Sequence, residues 1–216
     1  MRIDVVFDTI CPWCFIGKHR IERALASRPK VRAEFRWRPF LLNPDMPDEG
    51  MDYAFYLERK FGSSYRVQRI QSAIVQAGES EGIAFNFDTV RRIPRSVNSH
   101  RLIQWAAESG RQSELVEAVF RAYFVGAQDI GSIAVLCDIA ASCGLDRKAA
   151  ANYLHGPAGY ASVEAENGRV HRLGVGGIPC YIIDGHYAVS GAQEPDMLAR
   201  LIDIAQGEAE LEASSF

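Results

Sequence analysis

The stretch "FDTICPWCFIGKHRI", Phe7 to Ile21, places two of the chain's five cysteines three residues apart, where a strand-like run gives way to a helix-forming one. Two thiols at that spacing can close a small disulfide ring, ligate a metal or be unrelated core residues, and each choice asks for a different fold around them. Residues 3–7, "IDVVF", and 33–40, "AEFRWRPF", are short and rich in β-branched or aromatic side chains. They bracket a helical stretch from Pro12 to about Ser27, in which Ile21 and Leu25 stand four apart. The chain therefore opens β-α-β, with the cysteine pair at the first strand-to-helix junction.

From about Met51 to Val170 strand signals nearly vanish, apart from an extended piece at "IAFNF". Leu102, Trp105 and Ala106 repeat at helical spacing, as do Val116, Val119, Phe120, Tyr123 and Phe124, so this long middle segment reads as a helical cluster. After Leu173 the loop "GVGGIP" leads into "CYIIDGHYAVSG", where Asp184-Gly185 between two apolar runs signals a hairpin. The chain closes with "EPDMLARLIDIA", in which Pro195 suits a first helical turn and Leu198, Leu201, Ile202 and Ala205 form an apolar stripe. A β-β-α ending thus answers the β-α-β opening.

That order, with Cys-x-x-Cys at the first junction and a proline opening the late hairpin, resembles the thioredoxin fold. More closely it resembles the DsbA-like branch with an all-helical insertion, the FrnE-like or 2-hydroxychromene-2-carboxylate isomerase-like group. "CPWCFIGK", "FLLNPDMPDEG", "SHRLI" and "GVGGIPCYIIDGHYAVSGAQ" read like that group's motifs in order. The resemblance implies an α/β thioredoxin fold in two parts, residues 1–50 and 171–216, with a helical insertion domain over 51–170. It further implies a cis bond before Pro179, a peptide lying against the Cys-x-x-Cys turn, and an Ile178 backbone free to pair with an extended substrate.

Cys11 falls at the N-cap of the predicted helix and Pro12 at its first position, so the thiol faces unpaired backbone N–H groups and the positive end of the helix dipole. That location favours the thiolate and makes Cys11 the expected nucleophile. Cys14, one turn deeper, is expected to be more buried and to resolve a mixed disulfide by attacking the Cys11 sulfur. Trp13 between them offers apolar surface for a peptide or hydrophobic substrate. A zinc site completed by Cys137 and Cys143 is disfavoured. Six residues along a helix are about 9 Å of rise apart and point in different directions, so that pair reads as core thiols and no metal is expected.

Other residues carry weaker signals. Asp8, three residues before Cys11, could relay a proton, but a surface-loop or capping role is expected. Val5 occupies the place, six residues before the nucleophile, where related oxidoreductases often keep a buried carboxylate. Cys180 stands where the family usually has threonine, and reads as a small core residue or as a third thiol. His100 reads as structural, and "PRS" departs from the Pro-Asn-Thr of relatives, so no small-molecule contact is implied there.

A net charge of −3 gives no basic footprint for nucleic acid, and no apolar run approaches the roughly 18 residues a membrane span needs. The N-terminus, with Asp4 and Asp8 inside its short apolar stretch, does not read as a signal peptide, which places the protein in a reducing cytoplasm. An odd cysteine count argues against a structural disulfide framework. The leading expectation is a dithiol-disulfide oxidoreductase or isomerase that needs no cofactor. Its partners would be disulfide- or thiol-containing proteins, with glutathione as a candidate thiol partner. The aromatic-rich helical segment could support a homodimer. A glutathione-dependent isomerase or transferase, resembling 2-hydroxychromene-2-carboxylate isomerase or the kappa-class glutathione transferases, is the alternative. Those relatives usually place serine where Cys11 stands and lack the second cysteine. A binding module without turnover is a third reading.

Overall fold

Strand β1 (Arg2–Phe7) buries five of its six residues, and an apolar run covered on both faces is what a central strand requires. In the computed structural model, which describes residues 1–213, β1 is flanked on both sides. Helix α1 (Pro12–Ala26) leads to β2 (Glu34–Pro39), which pairs with β1 in parallel from Arg2–Glu34 to Phe7–Pro39. On the other edge β5 (Cys180–Ile183) runs antiparallel to β1, with Val5 opposite Tyr181, and β6 (Tyr187–Ser190) completes the order β2-β1-β5-β6. The hairpin turns at Asp184 and Gly185 with φ of +49° and +82°, the positive values that make a tight hairpin follow the strand twist. Asp184 is further held by the Arg2 N–H, which donates to its side chain at 2.6 Å. Helix α9 (Pro195–Ala213) then lies beside α1, burying Leu198, Ile202 and Ala205 near Ile21 and Ala24.

Between β2 and β5 the chain is helical but for one small ladder. Its elements are β3 (Met51–Asp52), α2 (Tyr53–Phe61), α3 (Ser64–Glu79), β4 (Arg92–Ile93), α4 (Val97–Trp105), α5 (Gln112–Phe124), α6 (Ile133–Ser142), α7 (Arg147–His155) and α8 (Tyr160–Arg172). The two-residue β3–β4 pair was too short to leave a sequence pattern. "IAFNF", expected as extended, forms no strand and runs instead into a short 3-10 turn at Phe87–Thr89. Its alternating aromatics stack on each other rather than line a sheet: the rings of Phe85 and Phe87 are 5.0 Å apart, and both meet Phe124.

An aromatic column and an ion cluster help fasten this helical segment to the rest. In the column Phe15 of α1 stacks on Phe120 of α5 at 5.1 Å and Phe7 of β1 meets Phe120 edge-on at 6.0 Å. In the cluster buried Lys18 lies 2.9 Å from Glu117 of α5, and His19 lies 3.2 Å from it. Within the segment, the fully buried Arg101 donates to the carbonyls of Tyr153, Leu154, Gly156 and Ala158 at 2.6–3.1 Å. It thereby satisfies the open C-terminal end of α7.

The two faces of the sheet differ. Ile3, Val5, Phe7, Tyr181 and Ile183 belong to the main core under α1 and α9, whereas Val6 and Cys180 join a smaller cluster with Phe40, Val170 and Val175. Cys180 is thus a buried wall of the second cluster, on the face opposite Tyr181. Cys137 and Cys143 are buried in and at the end of α6, as expected of core thiols, and Gly144 follows at φ +76° as the helix stop.

Burial pushes the Glu117 carboxyl up, but the hydrogen bond from His19 and the charge of Lys18 outweigh it and hold the group at about 2, against an ordinary 4.5. A depressed carboxyl contributes stability that is complete above the unfolded value and is lost as pH falls through the folded one. Glu117→Gln should therefore flatten the pH dependence of unfolding between about 4.5 and about 2. It should also lower stability at neutral pH, because Lys18 keeps only Glu22. Denaturant titrations across that window check both, and an unchanged slope would remove the cluster from the account.

Candidate active site

Cys11 caps α1 with an extended backbone, φ −97° and ψ 110°, its side chain makes no capping hydrogen bond, and its sulfur meets the Cys14 thiol instead. Pro12 occupies the first helical position, where a missing N–H costs nothing. The turn is tied by the Cys11 N–H donating to the Asp8 carbonyl and the Cys14 N–H to the Cys11 carbonyl, both at 3.0 Å. Both thiols are free, and they are adjacent.

Cys14 is the more buried, as expected, but the margin is narrow: Cys11 is 5 % exposed and Cys14 2 %. Cys11 itself is roofed. Cys11, Pro12 and Trp13 line an apolar cavity of about 300 Å³ whose far wall is built by Tyr56, Lys60, Ile70 and Ile74 of α2 and α3. At its polar corner the Lys60 ammonium donates to the Tyr56 hydroxyl at 2.9 Å, and that hydroxyl donates to the Asn43 side chain. Burial pushes the Cys14 thiol up, the neighbouring Cys11 adds to this, and a backbone hydrogen bond from Asp8 draws it back in part.

Asp8 is not the surface or capping residue that its position suggested. It is fully buried, with one carboxylate oxygen 3.2 Å from His100 Nε2 and the other accepting from the Leu42 N–H at 2.8 Å. Beside it the Thr9 and Ser99 hydroxyls meet at 2.7 Å. The "SHRLI" segment of α4 is therefore the floor of the cysteine loop, and His100 is half of a buried pair rather than a lone histidine.

The Ile178–Pro179 bond is cis. Ile178 is half-buried and packs against both apolar clusters. The contact that brings this loop to the cysteine helix runs through Gly17, one turn after Cys14. A Cβ at Gly17 would lie 2.8 Å from Pro179 Cγ and would collide with the Tyr181 hydroxyl. Gly17 is the positioning residue that sequence reasoning passed over, and its signal was present: glycine inside a helical run costs about 1 kcal/mol against alanine, so its presence there points to close packing. Among the described residues no group of three or more His, Cys, Asp or Glu side chains is arranged to hold a metal, and no helix is long and apolar enough to cross a membrane.

Gly17→Ala should lower stability by about 1–3 kcal/mol through overpacking, despite alanine's better helix propensity. Combining it with Tyr181→Phe should restore part of the loss, and additive losses in a double-mutant cycle would contradict the contact. Alkylation of the reduced protein with iodoacetamide near neutral pH should modify Cys11 well before Cys14; peptide mapping that found Cys14 modified first would reverse their order.

The sequence matches the family model for the DSBA-like thioredoxin domain over residues 2–203. It is 30 % identical to the uncharacterized protein YwbO of Bacillus subtilis over 146 residues, 68 % of each chain. Among solved structures, the probable DsbA oxidoreductase SCO1869 from Streptomyces coelicolor superposes with a TM-score of 0.89 at 30 % identity, over 96 % of this chain and 91 % of its own. The cytosolic disulfide reductase DsbM from Pseudomonas aeruginosa, solved with GSH, shares the fold at a TM-score of 0.69 and 16 % identity, over 94 % and 98 % of the two chains. With the strand order, the cysteine-capped helix and a family match that spans nearly its whole length, the chain belongs to the DSBA-like thioredoxin domain family.

Proposed function

We propose that the protein is a dithiol-disulfide oxidoreductase or isomerase in which Cys11 is the nucleophile and Cys14 the resolving thiol. The observation that carries this reading is the asymmetry of the pair: Cys11 stands uncapped at a helix N-terminus and opens on a cavity, while Cys14 is sealed behind it. Attack by the Cys11 thiolate breaks a substrate disulfide, forms a Cys11–substrate disulfide and releases one substrate thiolate. Cys14 then attacks the Cys11 sulfur, the second substrate thiolate leaves, and the pair ends oxidised. Run backwards, the same two steps oxidise a dithiol.

The apolar cavity, lined by Pro12 and Trp13, favours a disulfide flanked by hydrophobic groups, with the Lys60 corner for an anionic end; Ile178 and Pro179 lie outside that cavity and would meet the substrate from the proline loop. Residues 1–50 and 171–216 carry the thiols and the proline loop on this reading, and 51–170 supplies the cavity wall. Disulfide- or thiol-containing proteins are the proposed substrates. Glutathione is the first thiol partner to try, because a protein of the same fold was solved with it. The cytoplasm, where such thiols stay reduced, is the proposed location. The glutathione-dependent isomerase alternative is less well supported, since its serine-based relatives dispense with the pair kept here.

The test uses the full chain with a model protein disulfide and glutathione as reductant. Cys11→Ser should abolish turnover, whereas Cys14→Ser should accumulate a long-lived mixed disulfide on Cys11, seen by mass spectrometry. Turnover surviving in Cys11→Ser would defeat the assignment.

A further inference from the structure

Tyr181 is fully buried, and its hydroxyl has no hydrogen-bond partner among the described residues. A buried polar group left unpaired needs a reason, because nearly all such groups are satisfied in folded proteins. The place of this hydroxyl supplies one. It stands over Gly17, which lies three residues after Cys14 and hence on the same face of α1. The titratable groups that act on Tyr181 are Cys14, Arg20 of α1, Cys11, and Cys180 of its own strand. Cys14 in turn faces Cys11 and, from the β1–α1 loop, Asp8. The cross-strand partner of Tyr181 on β1 is the apolar Val5, so no carboxylate enters from that side.

We infer that the Tyr181 hydroxyl is a hydrogen-bond donor held in reserve for the thiolate of Cys14. The inference rests on the resolving role proposed for Cys14. A protonated thiol is a weak acceptor and leaves the phenol unpaired; a thiolate accepts a charge-assisted bond, about twice as strong as a neutral one. Burial pushes the phenol well above its ordinary value, so the group keeps its proton and serves as donor rather than base. During resolution the Cys14 proton passes to water, the Cys14 and Cys11 sulfurs bond, and the Cys11–substrate bond breaks with its electron pair leaving on the substrate sulfur. The cysteine pair is oxidised and the substrate reduced. In the reverse direction a thiol attacks Cys11 and expels Cys14 as the thiolate, and the same donor steadies the leaving group.

Dithiobis-nitrobenzoate separates the steps, since attack by Cys11 releases one coloured thiolate and resolution by Cys14 releases the second. Tyr181→Phe, which keeps the ring, should leave the first release unchanged. It should slow the second roughly tenfold at neutral pH and move its pH profile about one unit upward, the scale of one hydrogen bond to a charged group. Fluorotyrosine at position 181, a stronger donor in an otherwise native side chain, should move the profile the other way, and this arm does not depend on how Tyr181→Phe folds. An unchanged second release and profile in both variants would overturn the inference while leaving the oxidoreductase reading intact. If the unaltered protein gave no second release, the oxidoreductase reading would fall instead. The ultraviolet titration of Cys14 in a Cys11→Ser background would then decide the inference, which is overturned if removing the Tyr181 hydroxyl leaves the midpoint in place.

Discussion

The approach of β5 to α1 at Gly17 is the contact on which the rest of the site depends. Cys11 and Cys14 are delivered by the first strand-helix junction, and Pro179 and Tyr181 by the loop and strand of β5 near the far end of the chain. The two groups share one site only because α1 carries no side chain where they meet. The antiparallel register of β1 with β5 fixes the height of that meeting, since a slip by one residue would turn Tyr181 to the opposite face and bring Cys180 toward the cysteine pair. A helix propensity penalty at one position is thus exchanged for the joining of two segments that the chain keeps far apart.

The helical segment between them does more than decorate this frame. Its α5 aromatics extend the core that begins at Phe7 and Phe15, and its α4 supplies the buried His100, Ser99 and Arg101. The first two hold the loop carrying Asp8 and Thr9, and the third closes the end of α7. A thioredoxin-like sheet without this segment would leave Asp8 without its histidine and Cys11 without its roof. The segment therefore sets both the support beneath the sulfur pair and the chamber above it.

Much of this was legible in the sequence where the determining interactions are local. Cys11 and Pro12 announce a helix start by position alone, Asp184-Gly185 fixes a hairpin through its own backbone preferences, and the stripe of α9 reads directly at helical spacing. What stayed hidden depends on distant partners. Asp8 looks like a loop residue until His100, 92 positions away, and Leu42, 34 positions away, are brought to it. "IAFNF" has the alternation of a strand but finds no ladder to join, so its aromatics pack into the helical core instead. The roof over Cys11 was invisible for a different reason: α2 buries none of its residues fully, so its apolar positions gave no sign that they face a cavity rather than a core.

That roof changes how the sulfur would meet its reagents. A molecule reaching Cys11 must first leave water and enter an apolar chamber of about 300 Å³, so its partition coefficient counts alongside the intrinsic reactivity of the thiolate. Small hydrated oxidants are disfavoured by the hydration they must shed, whereas a molecule with apolar flanks gains on entry. On the role proposed for Cys11, the chamber would act as a solvent filter, favouring reagents with apolar flanks over hydrated ones.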